Sequence, residues 1–162
     1  MNPKAEELRR KLIRNFLDVT RQRFERSPLY ESMTGGLSDG TMASKLGCGI
    51  DTVPAGKQSC PYHFHHSQEE MFVVLEGEGT LRVAGEMLSL HAGDVIFIPC
   101  GPQYPHHILN TSNADLKYLS ISTQEHPEVC EYPDSDKIGV LTQGTTFLQR
   151  RRAGLDYWDG EP

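Results

Sequence analysis

The chain has 162 residues, of which 37% are hydrophobic and 23% charged, with 15 Gly and 10 Pro and a formal charge of -6. This arithmetic describes one compact, turn-rich domain and excludes a disordered or collagen-like chain. No run approaches the roughly 18 consecutive apolar residues that a membrane-spanning helix needs. Charge is uneven along the chain: residues 1–26 carry eight Lys/Arg against four Asp/Glu, and residues 27–162 carry eight against eighteen. An acidic body repels phosphate backbones, so a nucleic-acid partner is not expected, and the basic N-terminal segment is expected to dock on the chain's own acidic body. The opening MNPKAEELRRKLIRNF lacks the apolar core of a secretion signal, which makes the cytoplasm the expected location.

In chain order, Leu8, Leu12, Ile13, Phe16 and Leu17 recur at helical spacing and predict an amphipathic helix within residues 3–20, with a short strand over 13–19 as the alternative. Ser27 to Gly40, with one Pro and several Gly, reads as a connecting loop. From residue 44 the chain breaks into short runs rich in β-branched and aromatic residues: LGCGIDTV, SCPYHFHH, MFVVLEGEGTLRV, MLSL, DVIFIP, HHILNTS and KYLSIST. Such runs with turn residues between them predict an all-β antiparallel sandwich or barrel. Val83-Ala84-Gly85-Glu86 marks a hairpin, and Pro99 to Pro105 a wider loop at the barrel mouth. Residues 124–162 lose the alternation and read as an extended tail, whose Tyr157 and Trp158 are expected to pack on the barrel or on a partner subunit. The division is therefore an N-terminal helix and loop over 1–43, a barrel over 44–123 and a C-terminal extension over 124–162. Cys48, Cys60, Cys100 and Cys130 show no C-x-x-C spacing and read as reduced thiols.

The chemistry concentrates in PYHFHHSQEEMFVVLEGEG. Strand alternation puts His63 and His65 on one face, where two imidazoles can reach one metal ion. Glu70 opens the next apolar run, and on a neighbouring strand its carboxylate would join them, with Phe72 and Val74 facing the same way. HAGDVIFIPCGPQYPHHILN adds His106 from a distant strand. Here the sequence resembles the cupin superfamily, whose two motifs it follows in order: Gly56, His63, His65, Glu70 and Gly77, then Gly93, Pro99, Gly101, His106 and Asn110. One residue is extra after Gly56 and two before His106. More narrowly, VLEGEG with PHHILNTS, YLSIST and the terminal DYWDGE is similar to small bacterial single-domain cupins, some labelled sugar-phosphate isomerases.

The resemblance implies a double-stranded β-helix, or jelly roll, holding one divalent metal ion (Zn, Fe, Mn or Ni) on His63, His65, Glu70 and His106, and a homodimer. His107 competes with His106, but the three-residue step to Asn110 selects His106. Three imidazoles and a carboxylate leave positions open for an oxygen-bearing, chelating substrate, which admits isomerase, decarboxylase and dioxygenase chemistry. Proton transfer would call on a base near the ion, for which His66 and Tyr104 are the candidate catalytic residues. Phe72, Val74, Phe97 and Ile108 would line the site with apolar surface. A phosphorylated substrate also calls for cations at the mouth, and residues 44–123 hold only Lys45, Lys57, Arg82 and Lys117. The alternative is a non-catalytic ligand-binding or sensor module on the same scaffold.

Overall fold

The computed structural model describes residues 2–162. One helix, α1 (Pro3–Leu12), precedes thirteen strands: β1 (Gln22–Arg26), β2 (Tyr30–Gly36), β3 (Leu46–Val53), β4 (Phe64–His65), β5 (Glu70–Glu76), β6 (Glu78–Val83), β7 (Glu86–His91), β8 (Val95–Ile98), β9 (His106–Leu109), β10 (Leu116–Thr123), β11 (Glu128–Tyr132), β12 (Lys137–Leu141) and β13 (Thr146–Arg150). All pair antiparallel in three sheets, ordered β1-β2-β3-β10-β5-β8, β7-β6-β9 and β13-β12-β11-β4. No helix among the described residues is long and apolar enough to cross a membrane.

Asn2 caps α1 by accepting a hydrogen bond from Lys4 N–H at 2.9 Å, and Pro3 supplies the preset first turn. The helix stops at Leu12, earlier than the periodicity predicts, and Phe16 and Leu17 fall in a turn, not in the alternative strand. No side chain of α1 is buried, so no packing against the barrel extends it. The segment does touch the acidic body: the Arg14 guanidinium donates to the Asp39 carbonyl at 3.1 Å, and the Met42 N–H to the Lys11 carbonyl at 3.0 Å.

Two segments expected to be irregular form strands. Ser27–Gly40 contains β2, which lies between β1 and β3 in the six-stranded sheet. The tail contributes β11, β12 and β13, with β11 paired to β4 so that Cys130 stands opposite His65. Tyr157 and Trp158 do not pack on the barrel of their own chain: they are 84% and 68% exposed, and their rings meet edge to face at 4.9 Å.

The core between the sheets is Val53, Phe72, Val74, Leu81, Leu90, Ile98, Ile108, Leu116 and Tyr118. Phe97 does not join it. On β8 the inward positions are Ile96 and Ile98, and Phe97, one step out of phase, is 71% exposed. The hairpin at Ala84-Gly85 forms as expected, with φ of 51° and 86°, the double left-handed geometry of a type I′ turn. Gly77, between β5 and β6, has φ 85°, and a side chain there would strike the Asp115 carbonyl. Asn110 is 1% exposed and ties two segments together: its amide donates to the carbonyls of Val53 and Ala114 at 2.7 Å each.

Candidate metal centre

His63 and His106 face each other across an isolated bridge. Their backbones exchange both hydrogen bonds, the His106 N–H donating to the His63 carbonyl at 2.7 Å and the His63 N–H to the His106 carbonyl at 3.1 Å, which brings the rings to 4.8 Å. His65, two residues along from His63, sits with its ring 5.0 Å from that of His63. Glu70 enters from β5, which is not the ladder partner of β4 as the sequence suggested, since β4 pairs with β11 and β5 belongs to the six-stranded sheet. The four side chains therefore converge from all three sheets, with His63 just ahead of β4, His65 on β4, Glu70 on β5 and His106 on β9.

All three imidazoles present Nε2 to one carboxylate oxygen. Glu70 Oε2 lies 2.7 Å from His106 Nε2, 3.4 Å from His65 Nε2 and 3.7 Å from His63 Nε2. Hydrogen bonds fix two of the tautomers: His63 Nδ1 donates to the Pro61 carbonyl at 2.8 Å and His106 Nδ1 to the Tyr104 carbonyl at 3.0 Å. A carbonyl can only accept, so Nδ1 carries the hydrogen, and a neutral ring then turns the Nε2 lone pair inward. Three ring nitrogens and a carboxylate oxygen at such separations need positive charge between them, supplied either by the proton of the 2.7 Å His106 Nε2–Glu70 Oε2 hydrogen bond or by a shared cation. Ligand atoms about 2.1 Å from one ion lie roughly 3.0–3.4 Å from each other, which the observed spacings bracket. His63, Glu70 and His106 bring their ligand atoms within 4.8 Å of one another and thus fit a divalent ion, and His65 approaches through Glu70 while falling in a second such group with His63 and Cys130.

Electrostatics agree. Burial pushes the His63 pKa down to about 4, so its ring is neutral and free to coordinate. Burial works to raise the Glu70 carboxyl, but the contact with His106 and the neighbouring His63 and His65 outweigh it and hold its pKa below the usual carboxylate value.

One face of β11 backs this cluster with residues that sequence reasoning missed. Glu128 is fully buried and accepts hydrogen bonds from the backbone N–H groups of His66, Ser67 and Gln68 at 2.9, 3.0 and 3.0 Å, fixing the turn between His65 and Glu70. Its Oε1 also lies 3.3 Å from His65 Nδ1, close enough to attract the ring N–H but not aligned as a hydrogen bond. Cys130 is 2% exposed, and its sulfur forms a second group of potential ligand atoms with His63 and His65, all within 4.8 Å. Tyr132 stacks on the His63 ring at 6.1 Å. The period-2 spacing of Glu128, Cys130 and Tyr132 was the available signal.

The remaining candidates lie apart. His66 turns outward, its side chain 40% exposed and its Nε2 2.8 Å from Glu131. Tyr104 is 41% exposed and borders a surface groove with Leu88 and Phe97. Neither lines the cavity beside the cluster. His107 turns its ring toward Tyr62, edge to face at 5.3 Å, and borders that cavity, while His106 faces Glu70. That cavity, of about 380 Å³, is bordered by His63, Glu70 and His106 at one side and by Asp51, Ser59, Tyr118 and Ser120 at another, with Phe24, Ser32 and Thr34 contributed by the β1-β2 hairpin.

A jelly roll whose antiparallel sheets bring three imidazoles and a carboxylate together in its interior has the architecture of a cupin. Residues 49–122 match the family model of the cupin domain, and that stretch of the chain is a cupin barrel. It is 36% identical over 83 residues to an uncharacterized protein of Methanocaldococcus jannaschii, covering 49% of this chain and 64% of that one. It is also 36% identical over 69 residues to an oxalate-binding protein of Thermotoga maritima, covering 43% of this chain and 54% of that one. The matches thus span between half and two thirds of the length of these relatives. Among solved structures, one from Acidithiobacillus ferrooxidans, provisionally named a sugar phosphate isomerase, superposes with a TM-score of 0.79 at 25% identity, covering 91% of this chain and 99% of that one.

Proposed function

We propose that this cupin is a metal-dependent enzyme that holds one divalent ion on His63, His65, Glu70 and His106 and acts on a small, oxygen-bearing substrate that chelates the ion, in the isomerase, decarboxylase or dioxygenase class. The observation that carries the reading is the convergence of three Nε2 atoms on Glu70 Oε2, two of them locked in the metal-ready tautomer by backbone carbonyls. The ion would supply Lewis acidity toward a carbonyl or enediolate oxygen of the substrate. The chain's own residues hold and orient: Pro61 and Tyr104 carbonyls aim two imidazoles, Glu128 fixes the turn that separates His65 from Glu70, and Phe72 and Ile108 keep part of the cavity wall dry. His66 and Tyr104 contribute no group to that cavity, so the reading assigns them no proton-transfer role. As part of the same proposal the chain works as a homodimer, at twice the 18.2 kDa mass of one chain.

The test is elemental analysis of protein purified without added metal or a nickel column, beside the His106→Ala variant. Near-stoichiometric iron, manganese, nickel or zinc that falls sharply in the variant supports the site. No metal after reconstitution refutes it. The second reading, a ligand-binding module without turnover, is favoured by the similarity to an oxalate-binding protein. Glu70-dependent turnover of a chelating substrate would separate the two.

A further inference from the structure

The far wall of the cavity is built from one row of the six-stranded sheet. Register places Thr34 of β2 opposite Asp51 of β3, and Asp51 opposite Tyr118 of β10, so the three share the inner face that also presents Phe72 and Glu70 from β5. Asp51 accepts a hydrogen bond from the Ser120 hydroxyl at 3.3 Å, and the Ser59 and Tyr118 hydroxyls bond each other at 2.6 Å. Among the described residues no Lys or Arg borders this cavity, which holds two carboxylates, Asp51 and Glu70, and, beside the cluster, His107, whose pKa burial lowers, and Cys60. The nearby Arg82 is engaged by Asp134 through both guanidinium nitrogens, at 2.5 and 3.0 Å.

A divalent ion would offset Glu70 and the substrate atoms that chelate it. No lysine or arginine among the lining residues offsets a second negative group at the opposite end. A phosphate there would lose water, meet Asp51 and find no cation, whereas a hydroxyl donates to a carboxylate and exchanges hydrogen bonds with Ser59, Tyr118 and Ser120. Phe24 and Phe72 supply aromatic surface for the carbon–hydrogen faces of such a chain.

We infer that the substrate is a small molecule whose distal end carries neutral hydroxyls and no phosphate or carboxylate, and that Asp51 is the residue that enforces this. The inference rests on the metal-chelating reading above. It separates this chain from phosphorylated sugars while leaving open a carbonyl or hydroxyl pair at the chelating end.

The experiment is isothermal titration of metal-loaded protein, its metal content measured beforehand, with three matched pairs: dihydroxyacetone, xylulose and fructose, each against its terminal phosphate. At least one neutral member should bind, with its phosphate weaker by about tenfold or more. Asp51→Asn should keep the metal and narrow that gap, and Asp51→Ser, with less bulk, should do the same. A phosphorylated member that binds as tightly as its neutral partner overturns the inference, as does failure of all three neutral sugars to bind loaded protein. Absence of metal before titration would instead overturn the functional reading on which it rests.

Discussion

Glu128 is the residue whose removal should reveal how the site is held together. Its carboxylate is fully buried and accepts three backbone N–H groups, Oε1 from His66 and Oε2 from Ser67 and Gln68. A buried donor left without a partner costs about 1–3 kcal/mol. The His66 N–H keeps the Val129 carbonyl at 2.9 Å, water can return to exposed Ser67, and Gln68 is buried, so Glu128→Ala should lose roughly 2–3 kcal/mol, a substantial share of the ~5–15 kcal/mol that holds a domain together. Glu128→Gln keeps one acceptor oxygen and the side-chain volume and should lose only about 1–2 kcal/mol. Urea unfolding monitored by circular dichroism in the presence of a chelator isolates this term from metal binding, and the variants should shift the midpoint with little change in slope. In a parallel titration, metal affinity should fall by about tenfold or more, because His65 loses the carboxylate beside its Nδ1. An alanine variant within about 1 kcal/mol of the parent, or a glutamine variant as damaged as alanine, would refute the hydrogen-bond reasoning.

His63→Ala combined with His65→Ala should abolish metal binding yet leave cooperative thermal unfolding, since neither residue belongs to the apolar core; loss of the transition would make the ion a structural one. Gly77→Ala should cost at least ~2 kcal/mol in denaturant midpoint analysis, because φ is 85° and the new methyl meets the Asp115 carbonyl; a neutral result would show that the β5-β6 turn relaxes freely. Burial pushes the Cys60 thiol up to about 12 and the Cys130 thiol up to about 11. At pH 8 the thiolate share of each is on the order of one in a thousand or less. Iodoacetamide at that pH should leave both unmodified until the protein is denatured, and prompt labelling of the native protein, read by peptide mass spectrometry, would contradict this.

The barrel and its inward cluster were legible because their signals are local. The alternation around His63-Phe64-His65 and the step to Glu70 survive in the structure, and the hairpin at Ala84-Gly85 needs only its own turn chemistry. Tyr30–Gly36 was missed because YESMTGG offers neither β-branched runs nor clean alternation; β2 is a strand by virtue of its neighbours β1 and β3. At Phe97 aromatic character points inward in the sequence, whereas the phase of β8 is set by Ile96 and Ile98 and turns Phe97 outward. EVCEY was illegible for a different reason. Its inner face carries Glu128 and Cys130, polar or reactive groups chosen to serve the cluster, so hydrophobic patterning inverts where the strand approaches the site.

The short strand β4 spans two residues, and its ladder partner is β11. The match to the cupin domain ends at residue 122, before β11 begins. A fragment trimmed to that match would keep every residue of both motifs and still lose the strand that backs His65, together with the carboxylate that fixes the turn ahead of Glu70. The smallest portable unit of this protein is thus set by who holds the ligands in place, and it runs through β12, which pairs the outer edge of β11.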